Sequence, residues 1–257
     1  MSQFHKIRTQ YLHDGEVLSL TLNAPKANVL DKEMMTELTQ AVQAERQKPE
    51  LKALVFQGEG EHFSFGASVP EHQKEQVAEM LQTFHQFFRT LIDIAKPTFA
   101  VVRGQCLGGG LELAAFCNWI FAAEDAAFGQ PEIKLAVFPP VASLILPYRI
   151  GQSAADDLVL TGRSISAREA LTLGLVHSVS AAPEANLDEF IVQHILPKSA
   201  VSLKFAVKSS RHEMHRAFLK NIGVVEKMYV EELMAAHDPN EGIRAFLEKR
   251  KPAWQNR

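Results

Sequence analysis

Two carboxylates stand in settings where a carboxylate is costly. Glu112 lies inside an apolar run, Leu111-Glu112-Leu113-Ala114-Ala115-Phe116, directly after the triplet Gly108-Gly109-Gly110. Glu132 follows in Gly129-Gln130-Pro131-Glu132, next to an apolar, proline-rich stretch that reaches Arg149. If both face one apolar pocket they can hold a water between them, one accepting its proton and the other delivering one. Burial would also raise the Glu112 pKa unless something pairs it. Spacing leaves the plainer alternatives open: a first-turn glutamate favoured by the helix dipole for Glu112, and a solvated loop residue for Glu132. The glycine triplet closes a short β-branched strand and opens a helix, so its free N–H groups suit an anion or oxyanion, although a tight turn packed on a sheet explains it equally well. It matches neither the Gly-x-Gly-x-x-Gly dinucleotide spacing nor a phosphate loop ending in Gly-Lys-Ser/Thr.

Other chemistry finds little support. His212-Glu213-Met214-His215 brings its second histidine one residue too early for a zinc helix and reads as a solvated surface. His85 and His177 have no serine or cysteine in a nucleophile-elbow context, and Cys106 and Cys117 read as small core residues. A Ser-His-Asp hydrolase and a metal centre are therefore not expected.

The elements that must position the two glutamates follow from periodicity. Val17 to Asn23 alternates apolar and polar residues as a half-buried strand does. Asp31 has the character of an N-cap for a helix over 32–46 whose apolar face is Met34, Met35, Leu38, Ala41 and Val42. A second strand spans 51–58, and an amphipathic helix carries Val77, Met80, Leu81, Phe84, Phe87, Phe88 and Leu91. The strand 98–102 leads through the glycine turn into the Glu112 helix, and Trp119 to Ala123 gives another buried strand. Two short helices are expected near 156–160 and 166–171, the second with the capping-box pair Ser166 and Glu169. The stretch between Lys134 and Arg149 reads as core or pocket wall, and beyond Pro197 a long charged amphipathic run to Leu233 precedes a last helix from Asn240 to Arg250.

The whole chain has 257 residues, 46% of them hydrophobic, enough for one large core with an appendage. Lys+Arg 27 against Asp+Glu 30 leaves a net charge of -3, which speaks against nucleic acid or anionic lipid as partner. The two cysteines exclude a disulfide scaffold, and the start Met1 to Arg8 has no apolar leader, so a cytoplasmic setting without membrane contact is expected.

The segments Gly104 to Ala114 and Phe128 to Glu132 resemble the enoyl-CoA hydratase/isomerase (crotonase) superfamily, and the similarity runs from Leu20-Thr21-Leu22-Asn23 to Glu241 through Arg250. The resemblance implies an α/β fold built as a spiral of ββα units over 1–195, with a helical C-terminal trimerisation region over 196–257. A homotrimer or a homohexamer, as a dimer of trimers, would follow. It implies an acyl-CoA thioester as the small-molecule partner and no cofactor beyond the coenzyme A that the substrate carries. It assigns the oxyanion hole to the N–H groups of Ala67 and Gly109, the main proton transfer to Glu132, and activation of a shared water to Glu112. Phe65, Ala67 and Val69 would contact the adenine end of coenzyme A, with Phe246 and Lys249 reaching its nucleotide. Retention of both glutamates favours addition or elimination of water.

Three departures from the common pattern stand out: Ser68 and Asn118 stand where aspartate is frequent, and Pro139-Pro140-Val141-Ala142-Ser143 replaces a flexible glycine loop. The segments 63–69 and 138–144 look most like the family's cyclic dienoyl-CoA hydratases, which hydrate cyclohexa-1,5-diene-1-carbonyl-CoA to 6-hydroxycyclohex-1-ene-1-carbonyl-CoA in anaerobic aromatic breakdown. A flat ring against Phe138 and Pro139 suits that substrate. A general 2-enoyl-CoA hydratase, a Δ3,Δ2 isomerase, and an RNA-associating or catalytically silent homologue are the alternatives.

Overall fold

Apolar residues at every second position sort into two cores on opposite faces of one sheet. The computed structural model describes residues 4–257; Met1 to Gln3, the first residues of the stretch read as lacking a leader, lie outside it. Strands β1 (Ile7–Leu12), β2 (Val17–Leu22), β3 (Ala53–Gly58), β4 (Thr98–Val102), β6 (Trp119–Ala123) and β9 (Ser178–Ser180) pair in that order. β1 is antiparallel to β2, and each later pairing is parallel. Leu18, Leu20, Leu54, Phe56, Ala100, Val102, Ile120 and Ala122 fill the larger core. Val17, Ala53, Val55, Phe99, Val101 and Phe121 fill the other. Parallel strands require such cover on both faces. β2 is therefore buried at every residue but the partly exposed Thr21, rather than half-buried as its alternation suggests: Ser19 is enclosed, and the Gln57 amide donates to Ser19 Oγ at 3.3 Å and Thr21 Oγ1 at 3.1 Å.

Short strands β5 (Gln105–Leu107), β7 (Ala127–Gly129) and β8 (Ser164–Ser166) form a second, three-stranded sheet in the order β5-β7-β8. Two of the long strands, β4 and β6, hand the chain to a short strand before the next helix. β4, β5 and α3 (Gly109–Phe116) make one ββα turn, and β6 and β7 begin the next. This is the expected spiral.

On the larger core lie α1 (Lys32–Ala44), with Asp31 accepting from the Met34 N–H at 2.9 Å, and α2 (Val77–Ile94). Phe84, Phe87 and Phe88 of α2 are buried, each stabilising the core by ~1.5–3 kcal/mol. The apolar stretch read as a wall is a helix, α4 (Pro140–Ile150), started by Pro140 at its first position and tolerating Pro147 near its end. It is followed by α5 (Gln152–Thr161) and α6 (Ala167–Thr172), the latter capped by Ser166 through the Glu169 N–H. Sequence periodicity missed α7 (Pro183–His194), which lays Leu187 and Ile191 on the second core.

The C-terminal run is not one helix. It breaks at Arg211 into α8 (Ala200–Ser210) and α9 (His212–Lys227), continues through a π-helical turn at Met228–Glu232, and ends in α10 (His237–Leu247). Met214, Phe218 and Ile222 of α9 join the main core. His215, expected on a solvated face, is instead buried, its ring stacked on Phe116 at 5.7 Å. Burial lowers its pKa to about 4, so it packs as a neutral ring. Among the described residues no helix is long and apolar enough to cross a membrane.

Candidate active site

The helix α3 is capped by Gly108, whose φ of +53° favours glycine, and a Cβ there would lie 2.7 Å from Glu132 Oε1. The turn is glycine because a carboxylate crosses it closely. Glu112 occupies the first turn of α3 and is 4% exposed. Its Oε1 accepts the Ala142 N–H at 2.8 Å, and the Val141 N–H also points to it. Both belong to the first turn of α4, so Glu112 caps that helix from outside its own chain segment. One carboxylate oxygen is thereby anchored. Burial outweighs these bonds and raises the Glu112 pKa to about 7.

Glu132 sits in the 3-10 turn Pro131–Leu135 after β7. Burial, reinforced by Glu112, pushes its pKa well above the usual carboxylate range. With its amide turned so that the NH2 faces the carboxylate, Gln130 donates to the two Glu132 oxygens at 3.1 and 3.0 Å. Two facing carboxylates that resist simultaneous ionisation are suited to passing a proton.

Both glutamates line one inner cavity of about 20 Å³, measured to the centre of a water-sized sphere, together with Ala67, Gly109, Phe138 and Pro139. That volume suits a single water. The Ala67 and Gly109 backbones meet there: a Cβ on Gly109 would lie 3.2 Å from Ala67 N. Among the described residues neither N–H donates to a backbone or side-chain acceptor, whereas the neighbouring Gly66 N–H is held by Ser64 Oγ at 3.0 Å. Two unpaired donors at a helix start, beside two carboxylates, can hold a carbonyl oxygen as it gains charge.

A wider cleft of about 730 Å³ opens outward from Ala67 and Glu132. Phe65, Ser68, Val69 and Phe246 line it, and so do Lys134 and Arg250. Lys249 lines neither cavity; the α10 helix ends at Leu247, and the next residues turn Arg250 toward the cleft in its place. His72 borders both cavities, its Nδ1 2.8 Å from the Ser68 carbonyl oxygen, and burial keeps its imidazole neutral. Sequence reading missed His72, Tyr229, Lys134 and Arg250, which carry no local motif. Asn118 is far from this chemistry: its Oδ1 accepts from the Thr98 N–H at 2.9 Å and Thr98 Oγ1 at 3.0 Å, fastening β4 to β6.

The model of the enoyl-CoA hydratase/isomerase family matches residues 13–257. The chain belongs to this family. It is 48% identical over 244 residues, 95% of each chain, to cyclohexa-1,5-dienecarbonyl-CoA hydratase of Thauera aromatica. A probable enoyl-CoA hydratase of Bacillus subtilis is 34% identical over 259 residues, covering 94% of this chain and 96% of that one. Among solved structures, an enoyl-CoA hydratase from Mycobacterium avium subsp. paratuberculosis superposes with a TM-score of 0.85 at 25% identity, over 99% of this chain and 100% of that one. The Bacillus anthracis enoyl-CoA hydratase gives 0.77 at 29% identity, over 98% and 100%. The family resemblance and the spiral fold read from the sequence are borne out, and the chain is an enzyme of the hydratase/isomerase family.

At the far end of α3 this enzyme is closed by cations. Arg211 donates to the Phe116 and Cys117 carbonyls at 2.6 and 2.8 Å, and Arg149 to Cys117 and Asn118, each at 3.1 Å. Positive charge at a helix C-terminus opposes the partial negative charge there.

Proposed function

We propose that the chain is a hydro-lyase that adds one water to a conjugated cyclic dienoyl-CoA, with cyclohexa-1,5-diene-1-carbonyl-CoA as substrate. The observation that carries this reading is the meeting of Glu112, Glu132 and two unpaired N–H groups in one water-sized cavity. The thioester carbonyl accepts from the Ala67 and Gly109 N–H groups. The water lies between the glutamates; as its oxygen bonds to the carbon β to the carbonyl, Glu132 takes its proton and Glu112 holds the other hydrogen. Negative charge spreads into a dienolate on the N–H pair, and a proton returns to the carbon framework, so that one water is consumed and none released. Losing one such donor typically costs about 2.7–4 kcal/mol in the transition state. Phe138 and Pro139 offer flat faces to a ring, which agrees with the 48% identity to a hydratase named for the cyclic diene.

Coenzyme A would lie in the wider cleft, past Phe65, Ser68, Val69 and Phe246; Lys134 and Arg250, not Lys249, are the cations along it, and Arg250 is already held by Glu241 and Glu248. Val201, Phe205, Leu219 and Val224 of α8 and α9 are exposed apolar residues, consistent with a trimer or a dimer of trimers, which native mass measurement would test. Two buried, unpaired cysteines suit a cytoplasmic setting.

Acyl-CoA thioesters presented in heavy-oxygen water test the function. The cyclic diene should gain one water carrying solvent oxygen. Faster hydration of crotonyl-CoA would reassign the enzyme as a general 2-enoyl-CoA hydratase, the reading favoured by the 34% identical relative. Double-bond migration without label would make it an isomerase.

A further inference from the structure

Tyr229 is held in the π-helical turn Met228–Glu232 that follows α9. Such turns are frequent at functional sites because the extra residue re-aims the side chains around it. Its side chain is 1% exposed and packs against Phe138 with the rings tilted at 60° and their centres 5.2 Å apart. It lines the inner cavity with Glu112, Glu132, Ala67 and Gly109. Among the described residues its hydroxyl has no hydrogen-bond partner.

A buried hydroxyl without a partner costs stability, and phenylalanine would fill the same space without that cost. Burial, helped by the negative charge of Glu132 and Glu112, keeps the phenol protonated, so it is a donor wherever the enzyme works. In the proposed reaction the carbonyl oxygen is met by the N–H pair and the water's hydrogens by the two carboxylates. The group left without a donor is the oxygen being added.

We infer that Tyr229 is a specificity-determining residue whose O–H donates to the oxygen added to the acyl group, so that a hydroxylated acyl-CoA is ranked above the same thioester lacking the hydroxyl. This rests on the hydratase reading of the site. It explains why the cavity keeps a phenol beside two carboxylates at the expense of stability.

The test is the affinity of wild type and Tyr229→Phe for 6-hydroxycyclohex-1-ene-1-carbonyl-CoA and for cyclohex-1-ene-1-carbonyl-CoA, by calorimetry, with thermal unfolding alongside. The variant should lose about tenfold of the preference for the hydroxylated ligand, hold its affinity for the other within about twofold, and unfold no earlier than wild type. An unchanged preference overturns the inference, and so does an equal loss for both ligands, which would mark Tyr229 as packing alone. The pair 3-hydroxybutyryl-CoA and butyryl-CoA is measured in parallel. If crotonyl-CoA is hydrated and the cyclic diene is not, the cyclic substrate is wrong and Tyr229 is judged on the straight-chain pair. If neither crotonyl-CoA nor the cyclic diene gains water, the hydratase reading falls and the inference with it.

Discussion

At its carboxyl end α3 gives the Phe116 and Cys117 carbonyls to partly buried guanidinium groups, whereas at its amino end the Gly109 N–H is left free among the described residues and two carboxylates crowd the first turn. Both ends are buried, so the difference is not one of solvent access. A helix end enclosed without partners is unstable unless something else supplies them. Arg149 and Arg211 supply them permanently at one end, and the other end is arranged so that a ligand must. Glu112 joins the two patterns, since it caps α4 with one oxygen while its neighbours on α3 remain uncapped.

The largest expected effect breaks the amino end. Glu132→Gln keeps the shape of the side chain and one oxygen for the Gln130 NH2 to donate to, but cannot take a proton. kcat should fall by about 10²–10⁴ with the acyl-CoA dissociation constant nearly unchanged, as measured by steady-state turnover and by ligand titration. Full activity in this variant would remove Glu132 from the chemistry.

Glu112 makes the same end sensitive to pH. Its folded pKa, raised to about 7 by burial, lies above the 4.5 of an ordinary glutamate, so the folded state binds the proton more tightly than the unfolded state does. The stabilisation is fully present below pH ~4.5 and is lost as pH rises through about 7, with a span on the order of 3 kcal/mol. Glu112→Gln should flatten this slope, so that the variant gains on wild type between pH 5 and pH 8 in denaturant titrations. Parallel slopes would place the proton elsewhere.

The carboxyl end should respond in stability and not in rate. Arg211→Met leaves the Phe116 carbonyl buried with no donor and Cys117 with Arg149 alone. A loss of about 2–3 kcal/mol is expected in chemical denaturation, with kcat unchanged at temperatures where the variant is folded. A fall in kcat without loss of stability would show the two ends to be coupled through the helix.

How much of this contrast is legible in the sequence depends on whether the signal is local. The glycine triplet, Glu112 and Glu132 form short motifs, and the Asp31 and Ser166 caps and the α2 stripe declare themselves by spacing. β2 was misjudged because Ser19 and Thr21 look solvent-facing until Gln57 of β3 covers them. α4 was hidden by its prolines; its start is set by Glu112, thirty residues earlier in the chain, which periodicity cannot register. Tyr229, His72 and Arg250 reach the cavities from a π turn, a 3-10 turn and a post-helical bend, none of which has a repeating pattern. Nothing in the sequence distinguished Lys249 from Arg250 either, since the left-handed backbone at Lys249, φ +54°, is what turns the following residue inward.

The smallest expected effect separates the donors at the amino end from their support. Ser64 is fully buried, and its Oγ donates to the Asn28 carbonyl at 2.8 Å while accepting the Gly66 N–H at 3.0 Å. By occupying the Gly66 N–H it leaves the Ala67 N–H as the free donor of the loop. Ser64→Ala removes this tether without touching Ala67, Gly109 or either glutamate. kcat should fall roughly three- to tenfold, the lower range expected for a slight misplacement of a reacting group, with KM unchanged and stability lower by about 1–2 kcal/mol. Ser64→Thr cannot stand in for a conservative control, because Ser64 packs so closely on Gly110 that a Cβ built on Gly110 would lie 2.8 Å from the Ser64 Cβ, which leaves little room for an added methyl. Ser64→Cys keeps a weak donor in a similar shape and should recover part of the rate. If Ser64→Ala costs stability but no rate, the Ala67 N–H is positioned by the Gly109 end of α3 alone, and the amino end needs no second support.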